Sequence, residues 1–481
     1  MKTLASALLL ASAANAHTLF TTLFINGENQ GDGTCVRQPD DGATATGPIY
    51  PITGDDMACG RNGENAVPFI CPAPSGSKLT FEFREWPDFQ NPGSIDPGHQ
   101  GPCSVYMKKV NDMFSDSASG SGWFKIWEDG YDQENNRWCV DTLVENDGLL
   151  SVTLPSGLPT GYYLVRPEVI ALHAAYRGDA QFYTSCAQIY IGDGASGSLD
   201  IPSEYEVSIP GYVSEDTAGV VYNLYENPLP PYPMPGPEVF RPSGGGDLNG
   251  GGERQAEGVI PDNCILKNAN WCAEPIPKYS GQSACWNAVE ACYAQSEACW
   301  ESAPPSGSAN CYTWSDYCEQ LNNACEGGDW EGPPEFEGEE QFASSHNTLP
   351  EPWAAFEDVE APGRAEPPVP QPSTTSTPSP TTKTSQAAAP TSPVQSPGEA
   401  SEQAPEDEAQ DLAENPVEPG PEAPSLAVSE DGQCGGETGQ TCEGSRFGDC
   451  CSRKGRCGRK TRHCTCGCQS AFGLCSESED A

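Results

Sequence analysis

His17 is one of five histidines in this 481-residue chain, and it follows a segment with the layout of a cleavable secretory signal. Residues 1–16 start with Lys2, continue through an apolar run and end in Ala-Asn-Ala. The segment is too short for a membrane span of about 20 residues. Cleavage after it gives His17 a free α-amine beside its imidazole, a nitrogen chelate that suits Cu(II) among divalent metals. Alternatively, His17 is merely the residue after the cut, so further ligands are needed.

Other polar side chains that could join such a site lie in three later segments. His99 is in the loop DPGHQGP, and His173 lies near the end of an apolar segment at 162–174. Gln181 and Tyr183 are two residues apart, so in a strand they share one face. The alternatives are a structural histidine for His173 and a core tyrosine for Tyr183.

The elements that must position these residues are short strands between Gly, Pro, Asn and Asp turns, from residue 17 to about 240. Apolar and polar residues alternate in the segments 78–85, 149–155, 162–174 and 181–191. No alternation of helices with strands is present. The pattern predicts a mainly β fold, an antiparallel β-sandwich. Pro167 interrupts one strand and indicates a sheet edge or a bulge.

Several motifs, taken in chain order, resemble the fungal family 9 lytic polysaccharide monooxygenases. They are the histidine after the signal, DMACG around Cys59, PGHQGPCSVY around His99, YYLVRPEVIALHAA around His173, DAQFYTSCAQIYI around Tyr183, and YPMPGPEVF at 232–240. The resemblance covers residues 17–240. It implies an immunoglobulin-like β-sandwich that carries one copper ion.

The resemblance also implies roles for individual residues. His17 would supply its amine and ring nitrogen and His99 a second imidazole, in a T-shaped histidine brace on copper, with Tyr183 in the axial position. His173 and Gln181 would form hydrogen bonds beside the metal. Cys59 and Cys186 correspond to a disulfide of the family. Tyr232 matches an aromatic residue that stacks on a sugar ring, with a turn residue as the alternative.

The implied activity is oxidative cleavage of β-1,4-glycosidic bonds at C1 or C4, with cellulose as the first expectation. It would use O2 or H2O2 and an external electron donor, either a small reductant or a cellobiose dehydrogenase. The alternatives are hemicellulose or chitin as substrate, or a non-catalytic protein that binds copper or wall carbohydrate. We expect a secreted monomer that binds no membrane. The net charge of -45 argues against nucleic acid as a partner.

A Gly-rich hinge (241–257) leads to a second unit, residues 258–330, with eight cysteines. Two trios recur every seven residues, which places each trio on one helix face: Cys285, Cys292 and Cys299, then Cys311, Cys318 and Cys325. The spacing predicts a helical hairpin with the disulfides Cys285–Cys325, Cys292–Cys318 and Cys299–Cys311, leaving Cys264 and Cys272 to pair. A metal cluster is the rival interpretation. Its tryptophans either form a carbohydrate platform or pack between the helices.

Residues 331–430 contain 20 acidic residues against Arg364 and Lys383 only, with a Ser/Thr/Pro tract. This composition is typical of a disordered, O-glycosylated linker. His346 is alone in this segment, and we expect it to be solvated and without a function. The linker accounts for 18 of the 45 net negative charges (20 minus 2).

The last unit, residues 431–481, contains nine cysteines, too many for its size unless disulfides hold it. Its motifs at 431–476 resemble a hevein-like, family 18 chitin-binding module, in which Ser452 matches a binding serine. Lys454, Arg456 and His463 occupy the aromatic positions, so we do not expect tight chitin binding. A basic patch could instead bind an anionic polymer, fold back on the linker, or be a solvated face. Cys466 is the extra cysteine that makes the total odd.

Overall fold

The structure is a computed structural model that divides into two compact units, residues 1–371 and 372–481. It describes residues 17–242, 254–343, 346 and 348–353 of the first unit, and 427–429, 432–435, 438–445, 447–452, 455–458 and 469–475 of the second. The predicted signal segment, most of the hinge and most of the linker therefore lie outside the described residues. Within the described part, no helix is both long and apolar enough to cross a membrane.

The first 226 described residues form strands joined by loops and short helices. The strands are β1 (Leu19–Ile25), β2 (Glu28–Asp32), β3 (Val36–Arg37), β4 (Cys71–Pro72), β5 (Lys78–Arg84), β6 (Cys103–Val110), β7 (Gly120–Asp129), β8 (Tyr131–Asp132), β9 (Arg137–Trp138), β10 (Leu149–Thr153), β11 (Gly161–Ala171), β12 (Gln181–Thr184), β13 (Cys186–Ile191) and β14 (Glu206–Ile209). The helices are α1 (Asp56–Cys59), α2 (Cys139–Glu145) and a 3₁₀ turn, Ala175–Arg177.

Two sheets face each other across the main core. One has the order β10-β5-β1-β2 and the other β14-β7-β6-β11-β13-β3, with β12 paired to β11 and β4 to β13. Apart from the parallel β13–β4 pair, the strands of both sheets pair antiparallel. Inward residues such as Phe20 and Phe81 meet edge to face, with ring centroids 5.3 Å apart. The predicted antiparallel β-sandwich is confirmed.

Pro167 does not mark an edge or a bulge, contrary to the prediction. Strand β11 pairs with β6 from Tyr162 to Val169, including Pro167 opposite Val105. On its other side β11 pairs with β13 over Gly161–Val165 and with β12 over Glu168–Ala171. Pro167 falls where the partner changes, so its missing N–H costs no ladder hydrogen bond.

The second cysteine group forms a helical hairpin on a small β base. Helices α3 (Gln282–Glu301) and α4 (Ala309–Glu326) follow β15 (Leu266–Asn268), β16 (Trp271–Ala273) and β17 (Tyr279–Ser280), and β18 (Glu331–Gly332) pairs with β17. The disulfides are Cys285–Cys325, Cys292–Cys318, Cys299–Cys311 and Cys264–Cys272. These pairs match the predicted ladder and exclude the metal-cluster interpretation. Trp271 and Trp314 are buried in its core.

The hairpin and the chain after it cover the outer face of the four-stranded sheet. The outward residues of that face are at most 1% exposed: Thr22, Thr80, Glu82, Arg84 and Ser151. Residues 269–270 hydrogen-bond to the chain at Gly33–Cys35. The described residues that follow, 341–343, 346 and 348–353, here called the strap, contact the sandwich: the Ala343 amide donates to Asp32, and Lys78 pairs with Glu351 at 3.3 Å.

His346 lies in the strap and is not solvated, contrary to the prediction. Its Nε2 lies 3.0 Å from Glu82 Oε1, and its ring meets Phe24 edge to face. The strap ends at Trp353, whose ring packs edge to face on Trp127 at 5.5 Å. The composition of 331–430 indicates a linker, yet its first part belongs to the folded unit because it covers buried charges that the sheet alone would expose.

Asp129 ties the strap to β7 and titrates abnormally. Its Oδ2 accepts a 2.9 Å hydrogen bond from Trp353 Nε1, and burial raises its pKa to about 6. A folded pKa above the unfolded value of about 3.9 stabilises the fold at low pH, and this contribution is lost as the pH rises through about 6.

We expect Asp129→Asn, which keeps an acceptor, to raise the free energy of unfolding by roughly 1 kcal/mol at pH 8. Urea denaturation at pH 4 should show no gain; an equal gain at both pH values would contradict this.

The described part of the second unit is held by disulfides. It has β19 (Ala427–Val428) paired with β20 (Gln440–Thr441) and β21 (Cys450–Cys451) paired with β22 (Cys457–Gly458). Cys434–Cys451 and Cys442–Cys457 are bonded, and Cys450 and Cys475 are also in disulfides. Ser452 and Arg456 close a tight turn, in which Ser452 N donates to Arg456 O at 2.9 Å. Lys454, His463 and Cys466 lie outside the described residues.

Candidate active site

The hairpin of β11 and β12 brings together three of the predicted site residues. Gln181 and Tyr183 lie on β12 opposite Ala171 and Val169, and therefore on one face. His173 follows β11 by two residues, just before the 3₁₀ turn that leads back to β12. The disulfide Cys59–Cys186 ties α1 to β13 immediately beyond this hairpin. This disulfide fixes the strand that follows the hairpin, and so it helps to hold the hairpin's side chains in fixed relative positions.

The loop that carries His99 is pressed against the end of β11. Leu172 N donates to Gln100 O at 2.9 Å, and Ile170 N donates to Pro102 O at 3.1 Å. At Gly101 a Cβ atom would lie 1.8 Å from Ile170 O, so only glycine allows this approach. The His99 ring consequently lies against His173, with centroids 4.1 Å apart, and 6.4 Å from the Tyr183 ring.

His17 precedes β1 and is held there by its neighbour. Thr18 N donates to Thr46 O at 3.1 Å, and Thr18 Oγ1 donates to Ser94 O at 2.6 Å. The two contacts anchor the start of β1 between two loops. His17 is half-buried, and a charge on it would act on His99. The structure thus brings His99, His173, Gln181 and Tyr183 together, with His17 near enough for its charge to act on His99.

The electrostatics of this cluster keep its imidazoles neutral. Burial, with a smaller contribution from His173, lowers the pKa of His99 to about 4, although Asp96 acts in the opposite direction. Burial also lowers the pKa of His173, and burial together with Arg61 lowers that of His17. Only neutral imidazole can ligate a metal, so these groups are ready to bind a cation without first losing a proton.

The phenol of Tyr183 is part of a polar network. Its hydroxyl donates to Gln181 Oε1 at 2.7 Å, and burial raises its pKa above the ordinary value, so the phenol stays protonated. Gln181 is also close enough to His99 and Tyr50 to act on the pKa of each. The Tyr50 hydroxyl donates to the carboxylate of Asp179. The charge of this carboxylate acts on Tyr183 and His173.

The donor set suits copper. The set contains two neutral imidazoles and a nearby phenol, and removal of the signal segment would add the α-amine of His17. Such a nitrogen-rich set favours copper over cations that prefer oxygen ligands. In addition, His173 Nδ1 is buried without a hydrogen-bond partner among the described residues, which leaves polar capacity beside the cluster. His17 and His99 would hold the ion, with Tyr183 adjacent.

Exposed aromatic rings lie beside the cluster at Tyr225 and Tyr176. The Tyr225 hydroxyl donates to His173 O at 3.0 Å while 66% of the residue remains exposed, and Tyr176 meets it edge to face at 5.4 Å. Tyr232 lies elsewhere: it packs edge to face on Trp138 and Tyr222, and its hydroxyl donates to Gly219 O. The structure therefore does not bring Tyr232 into the histidine cluster.

Sequence reasoning missed four residues of this region, namely Tyr50, Tyr176, Asp179 and Tyr225. Tyr176 and Asp179 lie within six residues of His173, so their nearness along the chain was the available signal. No local signal could have found Tyr50 or Tyr225, because only folding brings the loops that carry them to the β11–β12 hairpin. A shallow cavity of about 450 Å³ opens beside Tyr225, between Tyr131 and the loop 224–229.

Comparisons with known proteins identify relatives of this chain. The sequence model of Auxiliary Activity family 9 (formerly GH61) matches residues 17–232. AA9 family lytic polysaccharide monooxygenase H of Botryotinia fuckeliana is 39% identical over 477 residues, 96% of each chain. Monooxygenase C of Aspergillus tamarii is 47% identical over 337 residues, 68% of this chain and 90% of that one. The solved structure CvAA9A is 32% identical, with a TM-score of 0.42, and the match covers 47% of this chain and 98% of that one. This chain belongs to Auxiliary Activity family 9, the lytic polysaccharide monooxygenases.

Proposed function

We propose that this protein is a secreted, copper-dependent monooxygenase that cleaves cellulose oxidatively at C1, C4 or both. The observation that carries the proposal is the convergence of His17 and His99 on one cluster with Tyr183, Gln181 and His173. Copper bound there would accept an electron from an external donor and activate O2 or H2O2 for attack on a sugar C–H bond. A small reductant or a cellobiose dehydrogenase fits the role of donor.

The residues of the chain have distinct tasks in this proposal. His17 and His99 hold the ion as neutral ligands, because burial disfavours their protonation. Tyr183 would lie beside the ion as a protonated phenol. Gln181 fixes the orientation of this phenol by accepting a hydrogen bond from its hydroxyl. His173 packs on His99 and offers hydrogen-bonding capacity to the co-substrate. Tyr50, which donates to Asp179, lies close to Gln181 on the solvent side.

Cellulose suits the surface around the cluster. A crystalline polymer cannot enter a deep pocket, but it can lie on exposed rings, and sugar faces stack on aromatic side chains. Tyr225 presents such a ring in contact with the backbone at His173, and Tyr176 packs edge to face on Tyr225. Tyr232 remains a candidate for a more distant stacking contact. Hemicellulose and chitin share the β-1,4 linkage and are the alternatives.

We also propose roles for the segments outside the sandwich. Residues 1–16 act as a secretory signal whose removal frees the His17 amine. Beyond the strap, the rest of 331–430 has the composition of an acidic linker, and we propose a hevein-like module for 431–481, with the disulfides Cys434–Cys451 and Cys442–Cys457. Ser452 matches the binding serine of such modules, but Arg456 stands where an aromatic ring would stack. We therefore propose weak chitin binding for this module.

Product analysis tests the activity. The copper-loaded protein is incubated with ascorbate and, separately, with amorphous cellulose, xyloglucan and chitin, and the soluble products are examined by mass spectrometry. We expect oligosaccharides carrying aldonic acids or gem-diols from cellulose. Omission of ascorbate or of copper should abolish them. Oxidised products from another polymer alone would correct the substrate, and none from any polymer would favour a non-catalytic protein that binds copper or wall carbohydrate.

A further inference from the structure

Helix α3 carries an aromatic residue immediately after each cysteine of its trio. These residues are Trp286, Tyr293 and Trp300, here called the aromatic stripe. Trp286 is 38% exposed and Tyr293 42% exposed, while Trp300 is half-buried. Trp286 and Tyr293 lie outside the hairpin core, which is built from the cysteine face and Trp314, whereas Trp300 packs against that core. The stripe therefore needs another explanation.

The spacing of the stripe matches the repeat of an extended sugar polymer. Seven residues advance an α-helix by about 10.5 Å and rotate it by only about 20° short of two full turns, so successive rings share one face. An extended β-1,4-linked glycan presents the same face of a sugar ring once per disaccharide, a length close to this interval. The two exposed rings, Trp286 and Tyr293, could thus stack on alternate sugars of one chain.

The residues between the rings fit a neutral, hydroxyl-rich ligand. Glu290 and Glu297 alternate with the rings along the same face, and both are exposed. Their carboxylates are acceptors for sugar hydroxyl groups and repel anionic polymers. The neighbouring exposed positions are small, since Ala291, Ala294 and Ala298 line one side of the stripe. On this side the rings are bordered by methyl groups, and the long side chains that an approaching polymer meets between the rings are those of Glu290 and Glu297.

The platform is rigid before any ligand arrives. Each ring follows a cysteine that is bonded to α4, so three disulfides fix the backbone beneath the stripe. Trp300 packs edge to face on Tyr312 at 4.5 Å, and its Nε1 donates to Ser315 Oγ at 3.1 Å. Such preorganisation lowers the entropy cost of binding. The aromatic stripe and the histidine cluster lie on different elements, since the cluster belongs to loops and strands of the sandwich.

We infer that the aromatic stripe of α3 is a second carbohydrate-binding site, which holds one chain of a neutral β-1,4-linked polysaccharide along the helix. The inference rests on the proposed function only for the identity of the polymer. The stripe binds the insoluble substrate and keeps the protein at its surface, whereas the histidine cluster reacts. A protein partner on the same face is the competing occupant, and the test below distinguishes the two.

The test measures binding without catalysis. Metal-free full-length protein is partitioned between buffer and microcrystalline cellulose, and the bound fraction gives a partition coefficient. We expect Trp286→Ala/Tyr293→Ala to lower this coefficient about tenfold, as expected for two lost ring contacts. Trp286→Tyr/Tyr293→Trp keeps two rings at the same spacing and should bind within about twofold of the parent protein. Phe114→Ala/Phe342→Ala removes two equally exposed rings elsewhere and is the matched control.

The outcomes are separable from those for the proposed function. An unchanged partition coefficient for Trp286→Ala/Tyr293→Ala overturns the inference and leaves the face to a protein partner. An equal loss in the Phe114→Ala/Phe342→Ala control overturns it as well, because binding would then not depend on the stripe. If binding depends on the stripe but no oxidised products form, the proposed activity fails and this site stands.

Discussion

Replacing His99 by alanine will abolish equimolar binding of Cu(II) to this protein. His99 supplies one of the two imidazoles that we propose as ligands, and burial keeps its ring neutral and ready to ligate. Loss of a hydrogen-bond partner outside the ligand shell already weakens metal binding 10–100-fold, so we expect loss of a ligand to weaken it by more than about 100-fold. Isothermal titration with Cu(II) and the EPR spectrum of the copper-loaded protein measure the change.

Two companion proteins make this result specific. One added alanine before His17 in the processed protein should have a comparable effect, because it converts the α-amine into an amide that cannot ligate. His346→Ala should bind copper as the parent protein does, since His346 contacts Glu82 in the strap. A parent-like EPR spectrum from His99→Ala, or from the extended protein, would show that the ligands are wrongly assigned.

Arg84→Met will produce the largest loss of stability among the substitutions considered. Arg84 is 1% exposed and donates to both carboxylate oxygens of Glu82 and, at 2.6 Å, to Asp32 Oδ1. Methionine fills similar volume but leaves these buried carboxylates without their cation. Breaking a buried ion pair in this way costs about 3–5 kcal/mol. Urea denaturation followed by tryptophan fluorescence measures the change in the free energy of unfolding.

The matched controls separate charge from packing. Arg137→Met removes the cation of an exposed pair with Glu145, and exposed pairs contribute about 0–1 kcal/mol. The double variant Glu82→Gln/Arg84→Met removes one stranded carboxylate as well as the cation, and it should be more stable than Arg84→Met alone. If Arg84→Met lost no more stability than Arg137→Met, the buried cluster would not hold the strap and sheet together as described.

The sequence predicts which residues of the candidate site could do chemistry, because strand periodicity and local motifs act over only a few residues. Gln181 and Tyr183 share a face through the two-residue period of a strand, and the structure has both on β12. His99 and His173 could be named from motifs, but their contact at 4.1 Å depends on the approach of Gly101 to β11, which no periodicity contains. The Tyr50–Asp179 hydrogen bond joins residues 129 positions apart and was equally out of reach.

By itself, the sequence determined the alternating strands of the sandwich, the seven-residue cysteine trios with their disulfide ladder, and a histidine that follows a signal-like segment. Periods of two and seven residues report which face of an element a side chain occupies, and nothing beyond that element. Only the tertiary structure decided that Thr80, Glu82 and Arg84, which alternate outward on β5, are buried. The hairpin and strap cover them, and His346 reaches Glu82 across 264 residues of chain. A buried charge needs a partner, whatever the composition of the segment that supplies the partner. For this reason the strap belongs to the folded unit, although the composition of 331–430 is that of a linker.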